Sequence, residues 1–209
     1  MRTLAIAVAI IVALVALTLV IAGAAFIRPA HHTSGEVPRD LRAELIAIPC
    51  LASARRSSRA RAKHRRTRIT YGVDEAKGVN AAFDFLHREL PNDKIGVIGV
   101  SLGAASFVLA NSTTVPSAVI LESMSPTIRE AITDRLHHQG GTPATWLAPI
   151  NMWQMFTRHG ISVDIAALKS PVLVSSGDAD KNTTMVETQH IYSAANDPKE
   201  LWIVHDAAL

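Results

Sequence analysis

Apolar residues follow three regimes along this chain. Residues 3–27 are apolar without a break, residues 29–68 show no period, and from residue 69 short apolar runs alternate with amphipathic stretches. The unbroken segment is flanked by Arg2 and Arg28. It exceeds the roughly 20 residues a helix needs to cross a bilayer. Ala22-Gly23-Ala24 offers a small-residue cleavage step. However, the run is longer than the ~7–15 residues of a signal h-region, so an uncleaved single-pass anchor over residues 1–28 is expected. Arg2 on one side and Arg28, Arg39 and Arg42 on the other leave orientation open. An extracytoplasmic domain is compatible with these flanks.

Beyond residue 69 the pattern becomes regular. Val79, Ala82, Phe83, Leu86 and Leu90 recur at helical spacing, which predicts a helix over residues 74–90, ended by Pro91-Asn92-Asp93. Short apolar runs predict strands over 95–100, 116–121, 171–175 and 201–204. Helices are predicted over 102–111, 126–138 (ended by Gly140-Gly141) and 184–195, with a second apolar helical piece over 146–156. Residues 44–49 fit a first strand. Strands alternating with helices predict an α/β domain over residues 69–209 with a doubly wound, mostly parallel sheet. A chain of 209 residues has room for one such domain.

Charge changes the picture only locally. The formal balance is +3, yet residues 55–68 alone hold seven Arg and one Lys with no acid. The rest of the chain carries thirteen basic against eighteen acidic residues, so it is mildly acidic and shows no nucleic-acid footprint. Residues 29–68 read as a linker containing this polybasic run. Three readings of the run are open: an arm for anionic lipid near the anchor, a phosphate-binding arm without aromatic residues for stacking, or sequence out of frame, since Arg, Ala and Ser dominate GC-rich DNA read that way. The single Cys50 permits no internal disulfide.

Chemistry concentrates at Gly99-Val100-Ser101-Leu102-Gly103, placed between a predicted strand and a predicted helix. A Gly-x-Ser-x-Gly turn in that context is a nucleophile elbow, which lifts a serine hydroxyl above the carboxyl edge of a sheet. With the stretches AAFDFL, KIGVIGVSLGAA, AVILES, PVLVSSGDAD and KELWIVHDAA, the last two-thirds of the chain resembles the α/β-hydrolase superfamily, in particular serine hydrolases of the prolyl-oligopeptidase and acyl-esterase type. The resemblance implies ester or amide hydrolysis through a seryl acyl-enzyme, with a Ser…Asp…His order and no cofactor. Ser101 matches the nucleophile and the Leu102 N–H one oxyanion donor. Asp180 matches the orienting acid, with Asp178 its neighbour and Glu122 an outside candidate.

Two parts of the family pattern are not matched. Leu209 stands where the family places its histidine; His205, four residues earlier, is the remaining candidate base. Residues 50–68 contain no Gly and no strand-like run, so the upstream strands and a second oxyanion donor are not supplied there. Impaired acyl transfer is therefore expected, and a non-catalytic remnant acting through membrane attachment is the alternative. The other histidines lack metal-site spacing, and no metal is implied. Residues 146–153 fall where such hydrolases insert a cap. An apolar cap would suit a hydrophobic ester or amide substrate, and residues that simply cover the core fit the same pattern. Membrane lipid is the other partner expected, and nucleic acid is not.

Overall fold

The computed structural model describes residues 2–26, 70–154 and 163–208. The expected strand over 44–49, the linker with its polybasic run, Cys50 and Leu209 lie outside the described residues.

Helix α1 (Arg2–Phe26) is apolar after Arg2, with a mean hydropathy of 3.2, and is exposed along most of its length, with Gly23 buried. Its length and composition suit either a signal sequence or an anchor. The remaining elements run α2 (Glu75–Glu89), β1 (Gly96–Val100), α3 (Leu102–Ala110), β2 (Ala118–Glu122), α4 (Ile128–Thr145), α5 (Ala148–Gln154), a 3₁₀ turn (Ile165–Ala167), β3 (Val172–Gly177), α6 (Met185–Ala194) and β4 (Lys199–Val204). The four strands form one parallel sheet in the order β1-β2-β3-β4. All four carboxyl ends therefore lie along one edge, where open α/β sheets place their ligands.

Register sorts the side chains into two faces. Val97, Val119 and Val172 form one row, and Gly99, Leu121 and Val174 the next. These rows meet Phe83, Ala104, Phe107 and Ile191 from the helices in the main core. Leu121 is fully buried; burial of a side chain of that size contributes about 1.5–3 kcal/mol. The other face carries Ile98 at 72% exposure and Trp202 at 60%. A parallel sheet is normally covered on both sides. Among the described residues this one is covered on one.

The helix expected over 126–138 extends farther. Thr127 caps it through the Glu130 N–H, and Gly141, at φ 67° and ψ −169°, kinks it before a last turn containing Pro143. The glycine pair thus breaks the helix, as its freedom at positive φ allows, and Pro143 tolerates a restart at an early helical position. A second small core joins Ile128, Ile132 and Leu136 of α4 to Ala148 and Met152 of α5.

Candidate active site

Ser101 sits between β1 and α3 at φ 49° and ψ −114°. For a residue with a Cβ this is strained backbone, of a kind that persists only when the surroundings fix it. Two contacts do so. The Ser101 N–H donates to the Glu122 carbonyl of β2 at 2.8 Å, and the Ala105 N–H donates to the Ser101 carbonyl at 3.1 Å. Gly99 lets the elbow close, since a Cβ there would stand 2.6 Å from Ala104 Cα. Gly103 has open space around its own Cβ position. Leu102 opens α3, so its N–H has no acceptor within the helix. Its carbonyl is taken by Ser106 Oγ at 2.5 Å.

Ser101 and Leu102 line a small open cleft. Ala105, Ile128, Ala131 and Val163 make its apolar wall, and Tyr71, Ser125, Thr127 and Arg135 bring the polar groups. Tyr71 is held by a tight loop in which Glu75 accepts from Thr70 Oγ1 and from the Gly72 N–H. Burial opposes charge on Glu75, but these hydrogen bonds outweigh it and hold the carboxyl below its usual range. The apolar piece at residues 146–153, read as a cap, places Trp146 and Trp153 on the outside. The first turns of α4 form the cleft wall instead.

The candidate acids and base occupy the same sheet edge. Asp180, in the turn after β3, is 6% exposed. Its Oδ1 accepts from the Asn182 and Thr183 N–H groups at 2.8 and 3.1 Å, an Asx turn. Its Oδ2 is buried with no hydrogen-bond partner among the described residues. His205, just past β4, places Nδ1 2.8 Å from Asp178 Oδ2, with an imidazole 85% exposed. The His205 hydrogen bond, then that from the Asp206 N–H, hold the Asp178 carboxyl below its usual range. Ser101 Oγ makes no hydrogen bond among the described residues, so Ser101, Asp180 and His205 share an edge without touching. Glu122 ends β2, and its carbonyl rather than its carboxylate supports the elbow.

Sequence reasoning missed two pairings. One is Asp178 with His205, which joins turns 27 residues apart and leaves no local signal. The other is Glu187 with Asp134. Thr184-x-x-Glu187 is a capping box, visible in sequence, with Glu187 Oε2 accepting from the Thr184 N–H at 2.7 Å. Burial, the opposing Thr184 hydrogen bonds and the facing Asp134 carboxyl leave Glu187 raised to about 7.

No family model and no curated relative matches this chain. Solved structures do. Two crystal forms of the Pyrococcus furiosus esterase Pf2001 superpose with TM-scores of 0.53 and 0.51 at 23% and 22% identity. This is an α/β-hydrolase fold. The matches cover 66% and 71% of this chain but only 55% and 59% of the esterase. A Pyrococcus horikoshii acylaminoacyl peptidase matches at a TM-score of 0.45 and 19% identity, over 66% of this chain and 24% of the peptidase. In the hydrolase fold the nucleophile follows one strand, and the acid and histidine follow later ones. Ser101, Asp180 and His205 lie in the turns after β1, β3 and β4.

Proposed function

We propose that this chain carries a seryl acyl-transfer site for ester or amide hydrolysis, with Ser101 as nucleophile, the Leu102 N–H as oxyanion donor and Asp180 as the orienting carboxylate. The observation that carries the reading is Ser101 itself: a strained, positive-φ serine at a strand–helix elbow, opening on an apolar cleft. In the first step Ser101 Oγ attacks the acyl carbonyl, its proton passes to a base, and the Leu102 N–H meets the developing oxyanion. Collapse of the adduct breaks the ester or amide bond as the proton goes to the departing alcohol or amine. Water then cleaves the acyl-serine, regenerating the hydroxyl. With one oxyanion donor among the described residues the step is slower, since one donor contributes on the order of 10²–10³ in rate.

The cleft wall of Ala105, Ile128, Ala131 and Val163 favours a hydrophobic acyl or alcohol group. We further read α1 as a membrane anchor, with the hydrolase domain held at the membrane surface. A non-catalytic role is favoured by one observation: His205 is exposed and bonded to Asp178, while Asp180 Oδ2 has no partner among the described residues.

An activated p-nitrophenyl ester tests the proposal. Peptide mapping by mass spectrometry is expected to find the acyl adduct on Ser101 and none in Ser101→Ala. A chain that takes up no acyl group at Ser101 is the non-catalytic remnant.

A further inference from the structure

The end of α1 is joined to α5. Gln154 Nε2 donates to the Val20 carbonyl at 2.7 Å. A Cβ on Gly23 would stand 2.7 Å from Asn151 Oδ1, so the two helices meet closely at that glycine. Asn151 is 2% exposed, and Ala148 and Met152 turn into the small core beneath α4. The face of α5 left over carries Trp153, 61% exposed, with Trp146 before it at 81%. Trp146 lies in the two-residue turn between α4 and α5, where the Leu147 N–H donates to the Ala144 carbonyl and the Asn151 N–H to the Leu147 carbonyl. Both indoles therefore stand exposed on the segment that meets α1.

The depth of this junction follows from helix geometry. At 1.5 Å per residue, Val20 and Gly23 lie roughly 27–32 Å from Arg2 along α1. The hydrocarbon core of a bilayer is about 30 Å thick. With Arg2 in one headgroup layer, the contact with α5 falls at the other. That layer is where tryptophan concentrates, its ring against the acyl chains and its N–H toward water.

We propose that Trp146 and Trp153 dock the α4–α5 unit on the lipid headgroup interface of the membrane that α1 enters. The proposal rests on the anchor reading of α1. It sets the orientation of the domain: α4 starts at the Ser101 cleft, which its first turns line, and runs toward the membrane surface.

The test uses the full chain with Trp202→Phe, reconstituted in phosphatidylcholine vesicles whose acyl chains are brominated close to the headgroup. Trp146 and Trp153 are then the only tryptophans. Most of their emission is expected to be quenched relative to unbrominated vesicles, and Gly23→Leu, which crowds α5 off α1, is expected to restore much of it. Unquenched emission from a chain that stays with the vesicles through carbonate extraction would overturn the docking and leave the anchor standing. Quenching unchanged by Gly23→Leu would overturn the α1–α5 contact as what seats the indoles at the interface. Release of the chain by carbonate would overturn the anchor reading and the docking together.

Discussion

His205 and Asp178 form a latch across the turns that follow β4 and β3. The imidazole Nδ1 lies 2.8 Å from Asp178 Oδ2, and the Asp206 N–H donates to Asp178 Oδ1 at 2.7 Å. The main chain repeats the connection, with the Ala179 N–H donating to the Ala207 carbonyl at 3.0 Å. The one histidine at the carboxyl edge among the described residues is therefore committed to a neighbouring aspartate on the surface, while the buried aspartate two residues on has a vacant oxygen.

The latch has a titration signature. Asp178 is held below its usual range first by the His205 hydrogen bond. In His205→Ala its carboxyl pKa is expected to rise toward the ordinary value, read by carbon NMR of the side chain. A carboxylate depressed in the folded state adds stability above its unfolded pKa and loses it as pH falls through the folded one. The variant is thus expected to be less sensitive to acid than the parent. An unmoved Asp178 titration would show that the pair does not persist in solution.

The two motif glycines separate structure from pattern. Gly99→Ala drives a methyl against the Ala104 backbone, and overpacking of that kind costs about 1–3 kcal/mol. Gly103→Ala meets open space within a helix, where alanine is the better residue by about 1 kcal/mol. Thermal unfolding is expected to show a lower midpoint for the first and an unchanged or higher one for the second. Equal losses at both positions would contradict the close approach of α3 to β1.

Glu187 gives stability an unusual pH dependence. Its carboxyl is raised to about 7 by burial and by the facing Asp134, which burial also raises, with Glu130 and His137 the other charged groups around Asp134. The folded state then binds more protons than the unfolded one between about pH 4.5 and 7. Stability falls as pH rises through that window. Glu187→Gln keeps an acceptor for the Thr184 N–H and removes the titration. Its melting midpoint is expected to gain on the parent steadily from pH 5 to 8. Parallel midpoint curves would show that Glu187 titrates normally.

The strands and helices were legible because each is a short apolar or amphipathic run bounded by Gly, Pro or Asp-rich turns. Ser101 was legible because its motif sits between two such runs. What sequence did not give was contact between turns. The Asp178–His205 pair depends on β3 and β4 being neighbours, and the outward Trp146 and Trp153 depend on where α1 ends. Residues 146–153 fitted either a cap or a cover for the core; Ala148 and Met152 are drawn into the small core under Ile132 and Leu136, and the first turns of α4 line the cleft.

The direct measurement is the rate and site of labelling by a fluorophosphonate probe, which reads serine nucleophilicity without a substrate. The full chain is expected to label at Ser101 alone, on the order of 10⁴–10⁶-fold more slowly than a complete triad, the usual cost of losing one member. His205→Ala is expected to leave that rate unchanged, because the imidazole is bound to Asp178, and Ser101→Ala to abolish labelling. Rapid labelling that His205→Ala removes would make His205 the working base, and labelling that survives Ser101→Ala would place the nucleophile elsewhere. Either result contradicts the site described here.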